Sequence, residues 1–393
     1  MAIILFDPLH RGNLYPLSNT KAIADLRIGI LTIKDRWQKI TGNNVFVFTE
    51  KYLQPLYDLP SEGNHLWIDA SVVINESVAA RILSLPNETT LIDNNGLVVA
   101  SKADNSIHTD YLPATSFFEN KIVIENVERL EYPWQIFQWN DAFLRNDFSL
   151  ITQCRDSQIL SETNKVAGIE NVFVEKGASV EFAVINATTG PVYIGKNATI
   201  MEGVVIRGPL ALCEGAVLKL GAKIYGATTL GPYSAGGGEI KNSVMQGYSN
   251  KAHDGYLGDS VVGSWCNLGA GTTNSNLKNT AGDIYMPDET DNKKVNAGNK
   301  CGVIMGDYTR TAINSSINTG SVYGTCANIF GEGLLSKEIG NFTWGDKKDS
   351  LYQLNKALED VGRWKNLKKQ SLSDQEVTIL KHLFHNNSQT IVR

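Results

Sequence analysis

Between Ile194 and Leu230 an aliphatic residue returns at every sixth position: Ile194, Ile200, Ile206, Leu212, Leu218, Ile224 and Leu230. Two positions ahead of each of the last six stands a second apolar or small residue: Ala198, Val204, Leu210, Ala216, Ala222 and Thr228. A helix repeats every 3.6 residues and a strand every 2, so neither element alone produces this rhythm. Six residues suit one side of a coiled ribbon, a short extended stretch followed by a corner. Three sides predict a coil of about eighteen residues, stacked so that like positions fall above one another and bury an aliphatic ladder. Glycine and small residues fit the corners, where φ is unusual or a Cβ would crowd. The rhythm resumes at Tyr256, Val262 and Leu268, and again at Ile317, Tyr323 and Ile329. The stretch from Asn274 to Asn299 has no period and reads as an extended loop.

The flanks follow other patterns. MAIILF, NVFVFT (44–49), NHLWIDASV (64–72) and KIVIENV (121–127) are short apolar runs of strand composition. Ile23, Leu26, Ile30, Ile33, Trp37 and Ile40 are spaced as on a helix over 20–40, with TGNN as its stop. YPWQIFQWNDAFLRND (132–147) predicts a second helix with Pro133 in its first turn. Residues 1–165 therefore read as a mixed α/β domain, and 168–333 as the hexapeptide region. Residues 335–393 turn helical. Leu351, Leu354, Leu358, Val361, Trp364 and Leu367 form one stripe, and Ser373 with Glu376 forms a capping box ahead of VTILKHLF.

Charge and cysteine narrow the function. The net charge of −5 gives no field for nucleic acid or an anionic membrane, so a phosphorylated ligand needs a local basic cluster. No apolar run approaches the ~20 residues of a membrane span. MAIILF is too short, and lacks the basic flank, for a secretory signal. Five scattered cysteines, none in a zinc spacing, suit a reducing cytoplasmic compartment.

The stretch EIKNSVMQGYSNKAHDGYLGDSVVGSWCNLGAGTTNSN carries more than fold. It resembles the acetyltransferase half of the bifunctional N-acetylglucosamine-1-phosphate uridyltransferase/glucosamine-1-phosphate acetyltransferase family. That family runs E-I-K, then S-K-x-x-H-x-x-Y-x-G-D, then N-x-G-A-G-T with an asparagine four residues on. The residues that answer to it are Glu239, Ile240 and Lys241; Asn250, Lys251, His253, Tyr256, Gly258 and Asp259; Asn267, Gly269, Ala270, Gly271 and Thr272; and Asn276.

The resemblance implies a left-handed parallel β-helix, a homotrimer, and a site in the cleft between neighbouring prisms. It implies acetyl-CoA as acyl donor and His253 as the base. Imidazole suits that task near neutral pH, and His253 is the one histidine between 168 and 333. Lys241 and Lys223 are the candidates for a sugar phosphate, Lys223 being equally a solvated corner residue. Glu239, Tyr256, Asn267 and Asn276 would hydrogen-bond the sugar and its amine. Asn267 is also the kind of residue that caps a β-helix corner. Backbone amides at Gly269 and Ala270 would meet the thioester oxygen. Asp254 departs from the family, which has an aliphatic there.

At the amino terminus, AIILF leads into RGNLYPLSNTK. This resembles the opening of sugar nucleotidyltransferases, L-A-A-G-x-G-T-R-L-x-P-L-[ST]-x-x-x-P-K, without its glycine pair. The resemblance implies a shortened, Rossmann-like α/β nucleotidyltransferase domain. Arg11, Lys21 and Arg27 would contact nucleotide phosphates, and Asp69 would hold Mg²⁺, although an aspartate ending a buried strand is common. The expected partners are a sugar phosphate and a nucleotide. Two alternatives stand beside this double activity: nucleotidyl transfer alone with the prism as scaffold, and a non-catalytic sugar-nucleotide regulator. A three-histidine zinc site of the kind some prisms build is excluded by the histidine count.

Overall fold

A computed structural model describes residues 1–104, 118–288, 293–346 and 350–391. The chain forms two units. The first comprises Met1–Leu14, Thr20–Leu26 and Leu31–Tyr132, and the second Tyr15–Asn19, Arg27–Ile30 and Pro133–Arg393.

The apolar runs of the first unit become one mixed sheet. Its order is Val45–Phe48, Ile3–Phe6, Asn64–Asp69, Val98–Asp104, Thr89–Ile92, Lys121–Val123. Ile3–Phe6 pairs in parallel with both of its neighbours, so its residues are buried on both faces and carry no polar alternation. Asn64–Asp69 and Thr89–Ile92 each pair with Val98–Asp104 in antiparallel register.

The helix expected over 20–40 is not continuous. A 3₁₀ turn covers Ile23–Asp25, extended backbone follows, and α1 spans only Ile33–Thr41. The reason is local. Gly29 has φ 73°, which no helix contains, and Thr32 and Asp35 close a capping box that starts a new helix. The second helix, α2, spans Glu76–Leu83 with Asn75 as its cap.

The second unit is a parallel β-helix with three faces. Among the described residues, nine strands stack on the first face, eight on the second and six on the third. The coil length follows the predicted period: Leu210 pairs with Thr228 and Val217 with Ala235, eighteen residues on in both cases. All seven of the aliphatics at six-residue spacing are at most 1% exposed, and the companion positions are buried with them. Roughly 1.5–3 kcal/mol per buried side chain makes this ladder the main source of the prism's stability.

Corners differ from the expectation. Gly215 behaves as foreseen, with φ 62° and a Tyr233 ring 2.6 Å from where a Cβ would stand. Yet the equivalent corners further along are Tyr233, Tyr248 and Trp265, each with positive φ. Their rings stack at 5.1 and 4.3 Å, and this contact offsets the backbone strain.

Three further differences concern the ladder and its insertions. Tyr256 points outward, in register with Glu239, and Leu257 takes the core position. The expected loop 274–299 contains an antiparallel hairpin, Tyr285–Asp288 with Lys293–Asn296. The helix foreseen over 132–147 is α3, Gln135–Thr152, and it lies in the second unit. There Asn140 donates to the Ala227 carbonyl at 2.8 Å.

The carboxy-terminal helices, α4 (Leu354–Leu367) and α5 (Asp374–Ile391), cover part of the second face. Trp364 lies under the Arg310 guanidinium at 5.3 Å, and Lys368 donates to Asn250 Oδ1 at 3.0 Å. The predicted capping box forms: the Glu376 amide donates to Ser373 Oγ, and the Ser373 amide donates to the Glu376 carboxylate.

Candidate functional site

The third face carries a polar cluster where the outward side chains of adjacent coils stack. Register places Lys223, Glu239 and Tyr256 in one column, and Tyr225, Lys241 and Gly258 in the next. The Tyr225 hydroxyl donates to Glu239 Oε1. That bond to a carboxylate, with partial burial, pushes the Tyr225 phenol up to about 12, so it stays a donor at neutral pH. Lys241 Nζ lies 3.6 Å from Asp259 Oδ2 and its side chain remains a quarter exposed.

Asp259 is buried and collects three partners: Lys241, Asn242 at 2.7 Å, and Asn276. Asn276 also donates to the Tyr256 hydroxyl at 3.1 Å. Burial raises the Tyr256 phenol, with the Asp259 charge adding to it, so Tyr256 too is a neutral phenol. Lys223 and Lys241, one carboxylate and two phenols thus line a single face, with an aspartate and two asparagines behind them. The set matches a hydroxylated, cationic and anionic ligand.

His253 stands beside this cluster on the exposed corner between Asn250–Lys251 and Tyr256–Gly258. Among the described residues its ring has no hydrogen-bond partner within the chain. Lys251 and His253 are two residues apart here, one fewer than in the family pattern.

The structure brings Glu239, Lys241, Tyr256 and Asn276 into one network. Lys223 is exposed in the same column, next to Glu239. Asn267 is not part of it. It lies on the second face in register with Asn250 and Arg310, because the chain passes to the next face at each corner. The Gly269 amide donates to the Thr311 carbonyl and to Thr311 Oγ1, both at 3.2 Å. The ladder between coils thus takes the N–H that was expected to meet a thioester oxygen. At Ala270 it is the carbonyl that the ladder takes, accepting from the Asn314 amide at 2.7 Å.

Three members of the network were not among the candidates by sequence, Tyr225, Asp259 and Asn242. Tyr225 stands one coil before Lys241, a relation visible only once the coil length is known. Asp259 lies inside the matched motif, but its partners Asn242 and Asn276 stand seventeen residues before and after it.

In the first unit the expected phosphate ligands are tied inward. Arg11 Nε donates to Asp7 Oδ2 at 2.7 Å and its Nη2 to the Lys21 carbonyl at 3.1 Å. Asp7 in turn accepts from the Ile23 amide and from Thr49 Oγ1. Arg11 and Lys21 are therefore neighbours, while Arg27 belongs to the second unit. There its backbone bonds the Gln246 side chain in both directions, at 2.7 and 3.0 Å.

Asp69 does not fit a Mg²⁺ site as arranged. One oxygen accepts from the Ser71 amide and hydroxyl at 2.7 Å, the other from Arg129, which also pairs with Asp93. A divalent cation would have to displace a buried guanidinium. Among the described residues, no three His, Cys, Asp or Glu side chains group as metal ligands.

Residues 3–156 match the family model for sugar nucleotidyl transferases. The bifunctional protein GlmU of Methanococcus vannielii is 28% identical over 229 residues, 56% of this chain and 46% of that protein. The bifunctional sugar-1-phosphate nucleotidylyltransferase/acetyltransferase of Sulfurisphaera tokodaii is 32% identical over 103 residues, 26% of this chain and 25% of that protein. The chain thus spans less than half the length of these curated relatives. The solved polySia-specific acetyltransferase NeuO covers 53% of this chain and 98% of its own at 14% identity, with a TM-score of 0.29.

Proposed function

We propose that the β-helix acetylates the amine of an amino sugar 1-phosphate with acetyl-CoA as donor. The observation that carries this reading is the third-face network, with Lys241, Glu239 and the two phenols one corner from the exposed His253. Lys241 takes the sugar phosphate, and Tyr225, Tyr256 and Glu239 hold the hydroxyls and the amine. The similarity to bifunctional nucleotidyltransferase/acetyltransferases supports the same reaction class.

His253 removes a proton from the substrate ammonium, leaving the nitrogen lone pair free. The nitrogen attacks the thioester carbonyl and a C–N bond forms. The tetrahedral intermediate loses its excess nitrogen proton to solvent and breaks its C–S bond. The departing thiolate takes back the proton that His253 held. The products are the acetamido sugar 1-phosphate and free CoA thiol.

For the first unit we propose nucleotidyl transfer: nucleoside triphosphate and sugar 1-phosphate give nucleotide sugar and pyrophosphate. The match of residues 3–156 to the sugar nucleotidyl transferase model supports it. Because the Asp69 pocket does not suit the metal, no step is assigned through it. A cytoplasmic homotrimer is the assembly this reading expects, and no described helix is long and apolar enough to cross a membrane.

Incubation with acetyl-CoA and glucosamine 1-phosphate tests the first reaction. Thiol release that disappears in His253→Ala is the expected result. Pyrophosphate release from UTP and N-acetylglucosamine 1-phosphate, with no thiol under any condition, would leave only nucleotidyl transfer. Silence in both assays, with ligand-induced stabilisation, would favour a regulator.

A further inference from the structure

The inward ladder of the second face is apolar at Val180, Ile200 and Leu218, and it breaks at the next two positions. Gly236 pairs with Leu218, and Lys251 pairs with Gly236. Lys251 thus fills a core position, and it is 1% exposed. Gly236 leaves no room for a side chain of its own: a Cβ there would come within 2.6 Å of Leu230 and 3.0 Å of Ile240. An aliphatic would serve the ladder better, since a buried ammonium costs several kcal/mol unless its protons are bonded. Lys251 spends them on two backbone carbonyls, Gly237 at 3.1 Å and His253.

The corner around His253 is otherwise lightly held from the side-chain end. Among the described residues the His253 ring has no hydrogen-bond partner, so its position depends on its backbone. That backbone lies directly on the preceding coil. A Cβ on Gly237 would meet the Ala252 carbonyl oxygen at 2.3 Å, and one on Gly238 would meet Asp254 Cα at 2.8 Å and the His253 oxygen at 2.9 Å. The Gly236–Gly238 run admits the corner, and Lys251 clamps it from inside the prism.

We infer that Lys251 is a positioning residue: its ammonium ties the Gly237 and His253 carbonyls together and thereby fixes the direction in which the imidazole is presented. The inference rests on the proposed role of His253, but the clamp itself is a structural claim that stands or falls separately. A misplacement of about 1 Å at a reacting group costs on the order of 100-fold in rate.

The test uses Lys251→Met, which keeps the length and loses the donors, in the full chain. The first readout is amide exchange. Exchange at 252–255 should rise more than at the neighbouring coils, whether or not the protein acetylates anything. Unchanged exchange at that corner overturns the clamp. The second readout is acetyl transfer. In the wild-type background kcat should fall about 10- to 100-fold with KM for both substrates within about threefold. In the His253→Ala background Lys251→Met should cost nothing further. Equal losses in both backgrounds, or an unchanged kcat, overturn the positioning role. Should Lys251→Met fail to fold, Lys251→Leu, which also lacks donors, is read in the same way. Absence of any acetyl transfer by the wild type would refute the proposed reaction and leave the exchange result to decide the clamp.

Discussion

Two stretches of one prism obey different rules. From Val192 to Leu230 each coil repeats the last, with aliphatics inward and pairings eighteen residues apart. From Ala235 to Asn276 the coils shorten, as Leu230 pairs with Met245 and Gly236 with Lys251, fifteen residues on in both cases. Here glycine and lysine replace the aliphatics, and buried Asp259 and Asn274 take over work the ladder does elsewhere. Asn274 is the clearest case, because its side chain bonds both the amide and the carbonyl of Gly258, at 2.8 and 3.0 Å. Regular coils minimise local conflict, and sites accept it where chemistry needs a particular group. The break in the period therefore coincides with the proposed site, and the regular coils would be its scaffold.

The comparison is broken most sharply by separating activity from stability. His253→Ala should lower acetyl transfer by about 10²- to 10⁴-fold, the usual worth of a general base, with an unchanged melting temperature. Steady-state thiol release and calorimetry read the two effects. Leu218→Ala, in the regular stretch, should do the reverse. It should cost about 2–5 kcal/mol of stability in chemical unfolding and leave kcat near the wild-type value at permissive temperature. A large kcat loss in a folded Leu218→Ala protein would deny that the two stretches have separate roles.

Smaller effects sharpen the picture. Lys241→Met should raise KM for the sugar phosphate by about 10- to 100-fold, the worth of one or two charge-assisted hydrogen bonds, and leave KM for acetyl-CoA alone. Equal rises for both substrates would place Lys241 elsewhere in the mechanism. Lys251 supplies the last effect, a change in how stability depends on pH. Burial lowers its ammonium to about 8, against the opposing charge of Asp254, from an ordinary value of 10.5. Below the lower value the folded chain carries a charge that the unfolded chain hydrates more easily. That penalty fades as pH rises from about 8 towards 10.5. Relative to Lys251→Met, the wild type should therefore gain melting temperature between about pH 7.5 and pH 10, as measured by scanning calorimetry. A difference that is flat over this window would contradict the burial argument.

Much of the scaffold was legible in the sequence because the period of six is a direct image of a three-sided coil. The ladder from Ile194 to Leu230 needed only counting. The corners were less legible. Tyr248 and Trp265 adopt a backbone usually left to glycine, and only their ring stacking explains why. The helical spacing from Ile23 to Ile40 misled because hydrophobic spacing says nothing about Gly29, whose φ forbids a continuous helix. The site was partly legible. Glu239, Lys241, Tyr256 and Asn276 stood in a recognisable order, whereas Tyr225 joins them by stacking across coils. Arg11 and Asp69 had the right chemistry for phosphate and metal, but sequence could not reveal that Asp7 and Arg129 had already claimed them.

The most direct test is where substrate protects the prism. Amide exchange of the full chain should be measured with and without glucosamine 1-phosphate and acetyl-CoA. Protection concentrated at 239–259 and around Asn276, with Val192–Leu230 unaffected, is the predicted outcome. Protection confined to the regular coils, or none at saturating ligand, would contradict the claim that the broken period is the site.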